Sequence, residues 1–191
     1  MTKNFKKYLI LGFLFFFPIF VYVFLSTGIN NFAKLPVLTY GVNDIVDLEG
    51  NLSKVSLRDN ISIVGFWGGD IENKKSEALN LNQKIYKRFY EFQDFQFVFL
   101  YNIEESKAIE DLKLELISGV GTDLKKWNFI PTSQSSINDV FNSFKTNIEL
   151  DENFSTPYVF IVDRDLSLRG RDDDEDTGML YGFNSQSVAE I

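Results

Sequence analysis

Apolar and polar positions are distributed differently at the start of the chain and in the remainder. An uncharged apolar run extends from Tyr8 to Leu25, and three lysines precede it within residues 1–7. Eighteen such residues lie at the lower end of the length that crosses a bilayer as a helix. The pattern therefore predicts a transmembrane anchor over residues 8–25 behind a basic N-terminal segment.

A cleaved signal peptide is the alternative interpretation of this run. Signal peptides have a shorter apolar core and a small-residue cleavage site, whereas bulky residues fill this run and no A-x-A pattern closes it. We therefore expect an uncleaved, single-pass anchor in the cell membrane. Basic flanks stay in the cytoplasm, so the rest of the chain should face the periplasmic or extracytoplasmic side. Residues 26–40 are expected to form a linker, and residues 41–191 a domain.

Strand patterns recur throughout the predicted domain. Runs of β-branched and aromatic residues predict buried strands at 61–67, 95–101 and 127–131. Residues 42–57 contain two shorter strand patterns around a turn signal, which predict an N-terminal β-hairpin. Residues 156–170 predict a second hairpin at the end of the domain.

Helical patterns separate the buried strands. Residues 104–117 form the second of three predicted helices, and residues 135–145 form the third, with Ser136 as its N-cap and Asp139 completing a capping box. The apolar face of the first helix consists of Ala78, Leu81, Ile85, Phe89 and Phe92, and that of the third consists of Ile137, Val140, Phe141 and Phe144. Strands that alternate with helices form a parallel sheet, and a closing hairpin adds an antiparallel edge. The fold class is therefore α/β, a mixed sheet with helices on both faces.

Composition excludes several kinds of chemistry. None of the 191 residues is cysteine or histidine, which excludes disulfides, thiol exchange, the common catalytic triads and cysteine or histidine zinc sites. Beyond the apolar run, 16 basic and 27 acidic residues leave a net charge of −11. Such a charge argues against nucleic acid as a partner and against a domain that lies on anionic lipid.

The segment VGFWGGDIENKKSE, residues 64–77, is the most distinctive candidate site. It leads from a predicted strand through a glycine turn to a helix start. Its glycines permit close backbone approach, and its acids would lie near the positive end of the following helix. The segment is either a partner-contact loop or an ordinary strand-to-helix turn, and the residues concerned are Trp67, Gly68, Gly69, Asp70 and Glu72.

Five consecutive acids at 172–176 form the strongest charge run. Carboxylates suit calcium or magnesium, but the spacing is not that of an EF-hand loop. We therefore expect a solvated acidic loop, with docking to a basic partner or weak cation binding as alternatives.

The order of elements and two sequence segments resemble the SCO/SenC family of membrane-anchored, thioredoxin-fold proteins. The segments are DLEGNLSKVSLRDNISIVGFWG at 47–68 and TPYVFIVDRDLSLRGR at 156–171, and the resemblance covers residues 42–185. It implies a thioredoxin-like domain. For the family it further implies a periplasmic or intermembrane-space protein that binds copper and helps to mature cytochrome oxidase. Such folds close with a helix, and the chain ends just after Ser187, a plausible cap, so we expect the closing helix to be cut short.

The residues at the family's copper ligands differ completely from the family pattern. Ile71 and Lys75 lie nearest the positions of its C-x-x-x-C cysteines, and Ser155 or Thr156 lies near that of its histidine. None of these is a copper(I) ligand, because copper(I) requires soft ligands. The resemblance therefore implies the fold without a metal or redox site, and no cofactor. It also makes Pro157 a candidate cis-proline.

These inferences lead to one expected function and two alternatives. We expect a non-enzymatic, partner-binding or assembly factor in the cell envelope, with respiratory-complex proteins, cytochrome oxidase in particular, as partners. The first alternative is a copper chaperone that uses atypical ligands. The second is a general envelope interaction protein with no link to respiration.

Overall fold

The computed structural model describes residues 3–26, 35–120, 123–170 and 183–184, and the chain divides into two units, residues 1–34 and 35–191. The first unit contains helix α1, Lys3–Ser26. By length and composition, residues Phe5–Ser26 are apolar enough to cross a membrane, with a mean hydropathy of 2.5. This is compatible with the predicted anchor. A signal sequence near the N-terminus satisfies the same criteria, so retention of the helix and its orientation stay predictions.

The second unit is built on a mixed, seven-stranded sheet. Its strands follow the order β1-β6-β5-β2-β3-β4, and β7 also pairs with β5. The strand bounds are β1 Val37–Thr39, β2 Ile61–Gly68, β3 Phe95–Asn102, β4 Trp127–Thr132, β5 Tyr158–Val162, β6 Leu168–Arg169 and β7 Phe183–Asn184. The helices are α2 Lys75–Leu81, α3 Lys87–Phe89, α4 Ser106–Val120 and α5 Gln134–Ser143; α2 and α3 are joined by a π-helical segment, Asn82–Tyr86, and 3₁₀ turns lie at Glu72–Lys74 and Ile103–Glu105.

The strand directions confirm the predicted mixed sheet. Strands β2, β3 and β4 are parallel, and β5 runs antiparallel beside β2. Strands β5 and β6 form the predicted closing hairpin. The fold is therefore α/β and thioredoxin-like, with helices on both faces of the sheet. Strand β1 lies inside the segment that the sequence analysis places in the linker, and it pairs with β6.

Two apolar clusters cover the two faces of the sheet. On β2, Val64 and Phe66 point to the cluster that contains α5, whereas Ile63 and Trp67 point to the cluster that contains α2 and α4. This is the two-residue alternation of a strand. Ser62 to Gly68 are all buried, as expected for a parallel strand between two layers of helices.

The predicted N-terminal hairpin at 42–57 is wrong. Residues 40–60, all of which the structure describes, contain turns and no strand. Two polar side chains bond the backbone there in place of a neighbouring strand. Asp44 Oδ1 accepts from the backbone N–H of Ile45 and of Leu57, both at 2.8 Å. Asn51 donates to the carbonyls of Ile45 and Val55 at 2.8 and 2.7 Å and accepts from the Val55 N–H at 2.9 Å. Local bonds of this kind compete with sheet ladders.

The predicted apolar face of the first helix is correct only in its first half. Ala78 and Leu81 are buried, but the π-helical segment follows and shifts the helical register. Tyr86, five residues after Leu81, then enters the core. Phe89 and Phe92 are exposed as a result. A π-helical turn is rare, and the spacing of apolar residues does not reveal it.

The burial of Tyr86 predicts a stability loss at high pH. Burial raises the pKa of its hydroxyl above the usual value of 10. A raised folded-state pKa gives stability that is complete below the unfolded pKa and declines as pH rises above 10 towards the folded pKa. We expect Tyr86→Phe to make this decline shallower in denaturant titrations between neutral pH and pH 11. Tyr90→Phe, at an exposed position, is the matched control for removing a tyrosine hydroxyl. Equal slopes for Tyr86→Phe and the unmodified protein would contradict the prediction.

The N-terminus of α5 differs from the predicted capping box. The N-cap is Ser133, not Ser136, and the Ser133 hydroxyl accepts the backbone N–H of Ser136 at 3.3 Å. The helix begins at Gln134, one residue before the predicted range of 135–145. Its apolar face is as predicted, because Ile137, Val140, Phe141 and Phe144 are all buried.

This cap makes a specific stability prediction. Ser133→Ala should lower the free energy of unfolding by about 1 kcal/mol, since it removes the acceptor for a free helix N–H. Ser136→Ala should cost less, because its backbone N–H remains. Urea unfolding of both variants measures the difference. A larger loss of stability in Ser136→Ala would instead support the capping box predicted from sequence.

Candidate functional site

The candidate loop begins at Trp67, which belongs to the core. Its side chain is 1% exposed, and its ring stacks on Phe99 with centroids 4.0 Å apart. The prediction that Trp67 contacts a partner is therefore wrong. Strand alternation points the ring into the cluster beneath α2 and α4, although the sequence places it at the start of a loop.

Gly68 and Gly69 are held against the segment that precedes β5. Gly68 has φ +51°, and a Cβ at this position would lie 1.9 Å from the carbonyl oxygen of Asn153. The backbone N–H of Gly69 donates to that same oxygen at 2.9 Å. Thr156 N–H donates to Phe66 O at 2.9 Å. The predicted close backbone approach is thus present, and its partner is the chain itself.

The segment before β5 is shaped by Asp151. Its Oδ1 accepts from the backbone N–H groups of Asn153 and Ser155, both at 2.9 Å. Ser155 and Thr156 are both buried. No peptide bond among the described residues is cis, so Pro157 follows a trans bond and the candidate cis-proline is wrong.

A buried ion pair occupies the space between this segment and α2. Lys74 and Glu77 are 4% and 2% exposed, and Lys74 Nζ lies 3.4 Å from Glu77 Oε1. Lys74 Nζ also donates to the carbonyl oxygen of Thr156 at 3.4 Å. The ammonium group thus joins the start of α2 to the residue before Pro157. Sequence reasoning missed this pair, because charges three residues apart at a helix start are usually solvated.

The residues nearest the family's ligand positions do not form a site. Ile71 is in the core, and Lys75 is exposed and pairs with Glu115 at 2.6 Å. Ser155 and Thr156 are buried on the other segment. Among the residues that the structure describes, no group of three or more acidic side chains is arranged to hold a metal ion.

The remaining predicted loop residues lie at or near the surface. Asp70 is half-buried, and its Oδ1 accepts from Asn73 Nδ2 at 2.7 Å. Glu72 is exposed. Of the predicted contact residues, Gly69, Asp70 and Glu72 remain accessible to a partner, and whether they contact one stays a prediction.

The neighbouring strand ends add surface that the sequence analysis did not identify. Asn102 ends β3 and is followed by Ile103 and Glu104, and Ser133 to Ser135 follow β4. Together they line a shallow depression of about 470 Å³. Ile103 is 59% exposed there. Because β2, β3 and β4 are parallel, their carboxyl ends meet at one edge of the sheet. We name this surface, residues 69–70, 72–73, 102–105 and 133–135, the carboxyl edge. The sequence signal that could have indicated this surface is Ile103, an isolated isoleucine between a predicted strand and two glutamates.

Two sequence predictions lie outside the described residues. The acidic run at 172–176 and the helix start at Ser187 both fall outside these residues. The solvated acidic loop and the shortened closing helix therefore stay predictions.

The chain matches no protein-family model and no curated protein, but it is similar to solved structures. One is a SCO1/SenC family lipoprotein from Bacillus anthracis, with 14% identity over 72% of this chain and 87% of that chain and a TM-score of 0.49. Another is the soluble domain of Sco1 from Bacillus subtilis, with 20% identity over 71% and 83% and a TM-score of 0.46. A third is the thioredoxin domain of a thiol-disulfide oxidoreductase from Bacteroides vulgatus, with 17% identity over 73% and 91% and a TM-score of 0.46. These similarities agree with the strand order and strand directions of the sheet.

Proposed function

We propose that this chain is a membrane-tethered, thioredoxin-like protein that acts by binding a protein partner at its carboxyl edge, as a non-catalytic assembly factor in the cell envelope. The buried Lys74–Glu77 pair is the observation that carries the proposal. It fills the space between α2 and the segment before β5 with two opposite charges that pair with each other. No side chain of this pair is presented to a ligand, so the accessible surface around it is the functional feature.

The carboxyl edge has the composition of a contact surface. Asp70, Glu72, Glu104 and Glu105 give it negative charge, and exposed Ile103 adds an apolar contact. A complementary partner presents basic residues around a small apolar recess, since opposite potentials across an interface favour association and fix its register. Ligands of open α/β sheets also bind outside the carboxyl ends of the strands.

Assembly of cytochrome oxidase is the specific form of this proposal. It rests on the sequence segments that resemble the SCO/SenC family, at residues 47–68 and 156–171, because fold by itself does not determine function. The same resemblance supports an outward-facing domain.

Site-specific crosslinking in native membranes tests the proposal. The chain has no cysteine, so Glu72→Cys and Ile103→Cys each create a single labelling position for a photoreactive maleimide. Asn138→Cys, on the exposed face of α5, is the matched control on the other face of the sheet. We expect adducts with an oxidase subunit or assembly protein from positions 72 and 103 and none from 138.

Other outcomes separate the alternatives. Adducts only with proteins unrelated to respiration would favour a general envelope interaction protein. Equal adducts from all three positions would contradict a specific carboxyl-edge interface. Tight copper(I) binding by the purified protein, measured against a chromogenic chelator, would instead support copper handling by atypical ligands.

A further inference from the structure

A second exposed surface lies at the opposite end of the parallel strands. The chain leaves the π-helical segment through α3 and turns into β3, and Phe89, Tyr90 and Phe92 are 44%, 41% and 62% exposed along this path. Ile61, the first residue of β2, is 38% exposed, and its N–H donates to Asp94 O at 2.7 Å in the same turn. The surface therefore lies at the amino ends of β2 and β3, away from the carboxyl edge.

Basic residues surround these aromatic side chains. Lys84, Lys87 and Arg88 are exposed on the same stretch of helix. The acids among residues 84–94 are Glu91 and Asp94, and Asp94 is paired with Arg164. Lys126 Nζ donates to the backbone carbonyl of Gln93 at 3.2 Å and to that of Phe92. We name the surface of residues 84–92 the basic aromatic patch. It holds three basic residues and one acid, a net charge of +2, in a region that carries a net −11.

We propose that the basic aromatic patch docks on the anionic surface of the membrane that holds α1. Aromatic and apolar side chains interspersed with Lys and Arg are the pattern of segments that bind at the lipid–water interface. Each basic residue near an anionic surface adds attraction, and aromatic rings favour the headgroup level. Because α1 and the domain belong to one chain, the bilayer is always at a high effective concentration near the patch.

The acidic remainder of the domain orients this contact. Its net negative charge opposes a flat approach to anionic lipid, as the sequence analysis concluded for the whole domain. The basic aromatic patch is the local exception, so attraction at one end and repulsion elsewhere select one orientation. In that orientation the amino ends of β2 and β3 face the lipid, and the carboxyl edge points away from it and towards partners.

The experiment that tests this docking uses the full-length protein at one copy per nanodisc. Gln93→Cys places one environment-sensitive fluorophore beside the patch. We expect its emission to shift to the blue in discs that contain phosphatidylglycerol and phosphatidylcholine, and not in discs of phosphatidylcholine alone. Molar salt should reverse the shift, because it shortens the Debye length to about 3 Å.

Two variants and one matched control define the surface. Lys87→Gln/Arg88→Gln should lower the ratio of docked to undocked protein about thirtyfold, and Phe89→Ser/Phe92→Ser should abolish the shift. Leu114→Ser/Ile117→Ser removes a similarly exposed apolar pair from α4, 66% and 50% exposed, and should leave the shift intact. Unchanged tryptophan fluorescence shows that each variant is folded.

Several results would overturn the inference. Equal emission in both lipid compositions would exclude recognition of anionic lipid. Retention of the shift in Phe89→Ser/Phe92→Ser would place the contact elsewhere. A shift that requires two copies per disc would make the patch an interface between copies of this chain. The labelled position differs from positions 72 and 103, so each of these outcomes is independent of the crosslinking result for the carboxyl edge.

Discussion

Lys74→Ala is expected to lower the free energy of unfolding by about 3–5 kcal/mol, because it leaves the Glu77 carboxylate buried without its cation. Glu77→Ala should cost a similar amount by stranding the ammonium group of Lys74. Both side chains are almost fully buried, so water cannot replace the missing partner. Urea unfolding of the full-length protein in detergent, followed by the fluorescence of Trp67 and Trp127, measures both effects.

A neighbouring lysine provides the matched control. Lys75 pairs with Glu115 at 2.6 Å, but their side chains are 54% and 46% exposed. Lys75→Ala should therefore cost less than about 1 kcal/mol, as exposed pairs do. If Lys74→Ala costs no more than Lys75→Ala, the buried pair does not hold the start of α2 in place.

A double variant separates the contribution of the two charges from that of the two packed side chains. Lys74→Met/Glu77→Leu replaces both charges with apolar side chains of similar size and should cost less than either single alanine variant. Because no chemistry is assigned to the pair, this variant should also retain the crosslinks from positions 72 and 103. Loss of those crosslinks in a stable double variant would show that the charges contribute to binding directly.

The sequence predicts the elements whose apolar patterns are uninterrupted. The face of α5 predicted from Ile137, Val140, Phe141 and Phe144 is the face that packs on the sheet. Strands β2 and β3 are predicted almost to the residue, because their apolar runs are long and their ends are marked by polar or glycine residues. In these segments, local preference and burial favour the same structure.

Several failures occur where side chains bond the backbone in ways that the apolar pattern does not show. Residues 42–57 have the pattern of a hairpin, but Asp44 and Asn51 satisfy the backbone that a second strand would have bonded. Lys74 is buried because the Thr156 carbonyl, 82 positions away, accepts from its ammonium group. No local pattern in the sequence indicates such a long-range bond. The predicted strand-to-helix turn is present between β2 and α2, but the burial of Trp67 and Lys74 was not predicted. That the loop contacts a partner stays a prediction.

Gly68→Ala is the second substitution with a large expected effect, a loss of about 2–5 kcal/mol. The left-handed conformation at φ +51° disfavours any residue with a Cβ by about 1–2 kcal/mol. The added Cβ would also lie 1.9 Å from Asn153 O and 2.6 Å from the backbone carbonyl of Phe154. Backbone has to move to relieve such a contact, which typically costs about 1–3 kcal/mol more. Urea unfolding under the conditions used for Lys74→Ala measures the loss.

Gly69→Ala is the matched control, because its Cβ would meet nothing closer than Asn153 O at 3.9 Å. It should change the free energy of unfolding little, and equal losses at both glycines would contradict a specific contact at Gly68. Gly68 and Lys74 hold the same segment, at Asn153–Phe154 and at Thr156. Once Gly68→Ala displaces that segment, the Thr156 carbonyl is no longer positioned for Lys74 Nζ. The combined Gly68→Ala/Lys74→Ala variant should therefore lose less stability than the two single variants added together, whereas strict additivity would mean that the two contacts act on independent parts of the loop.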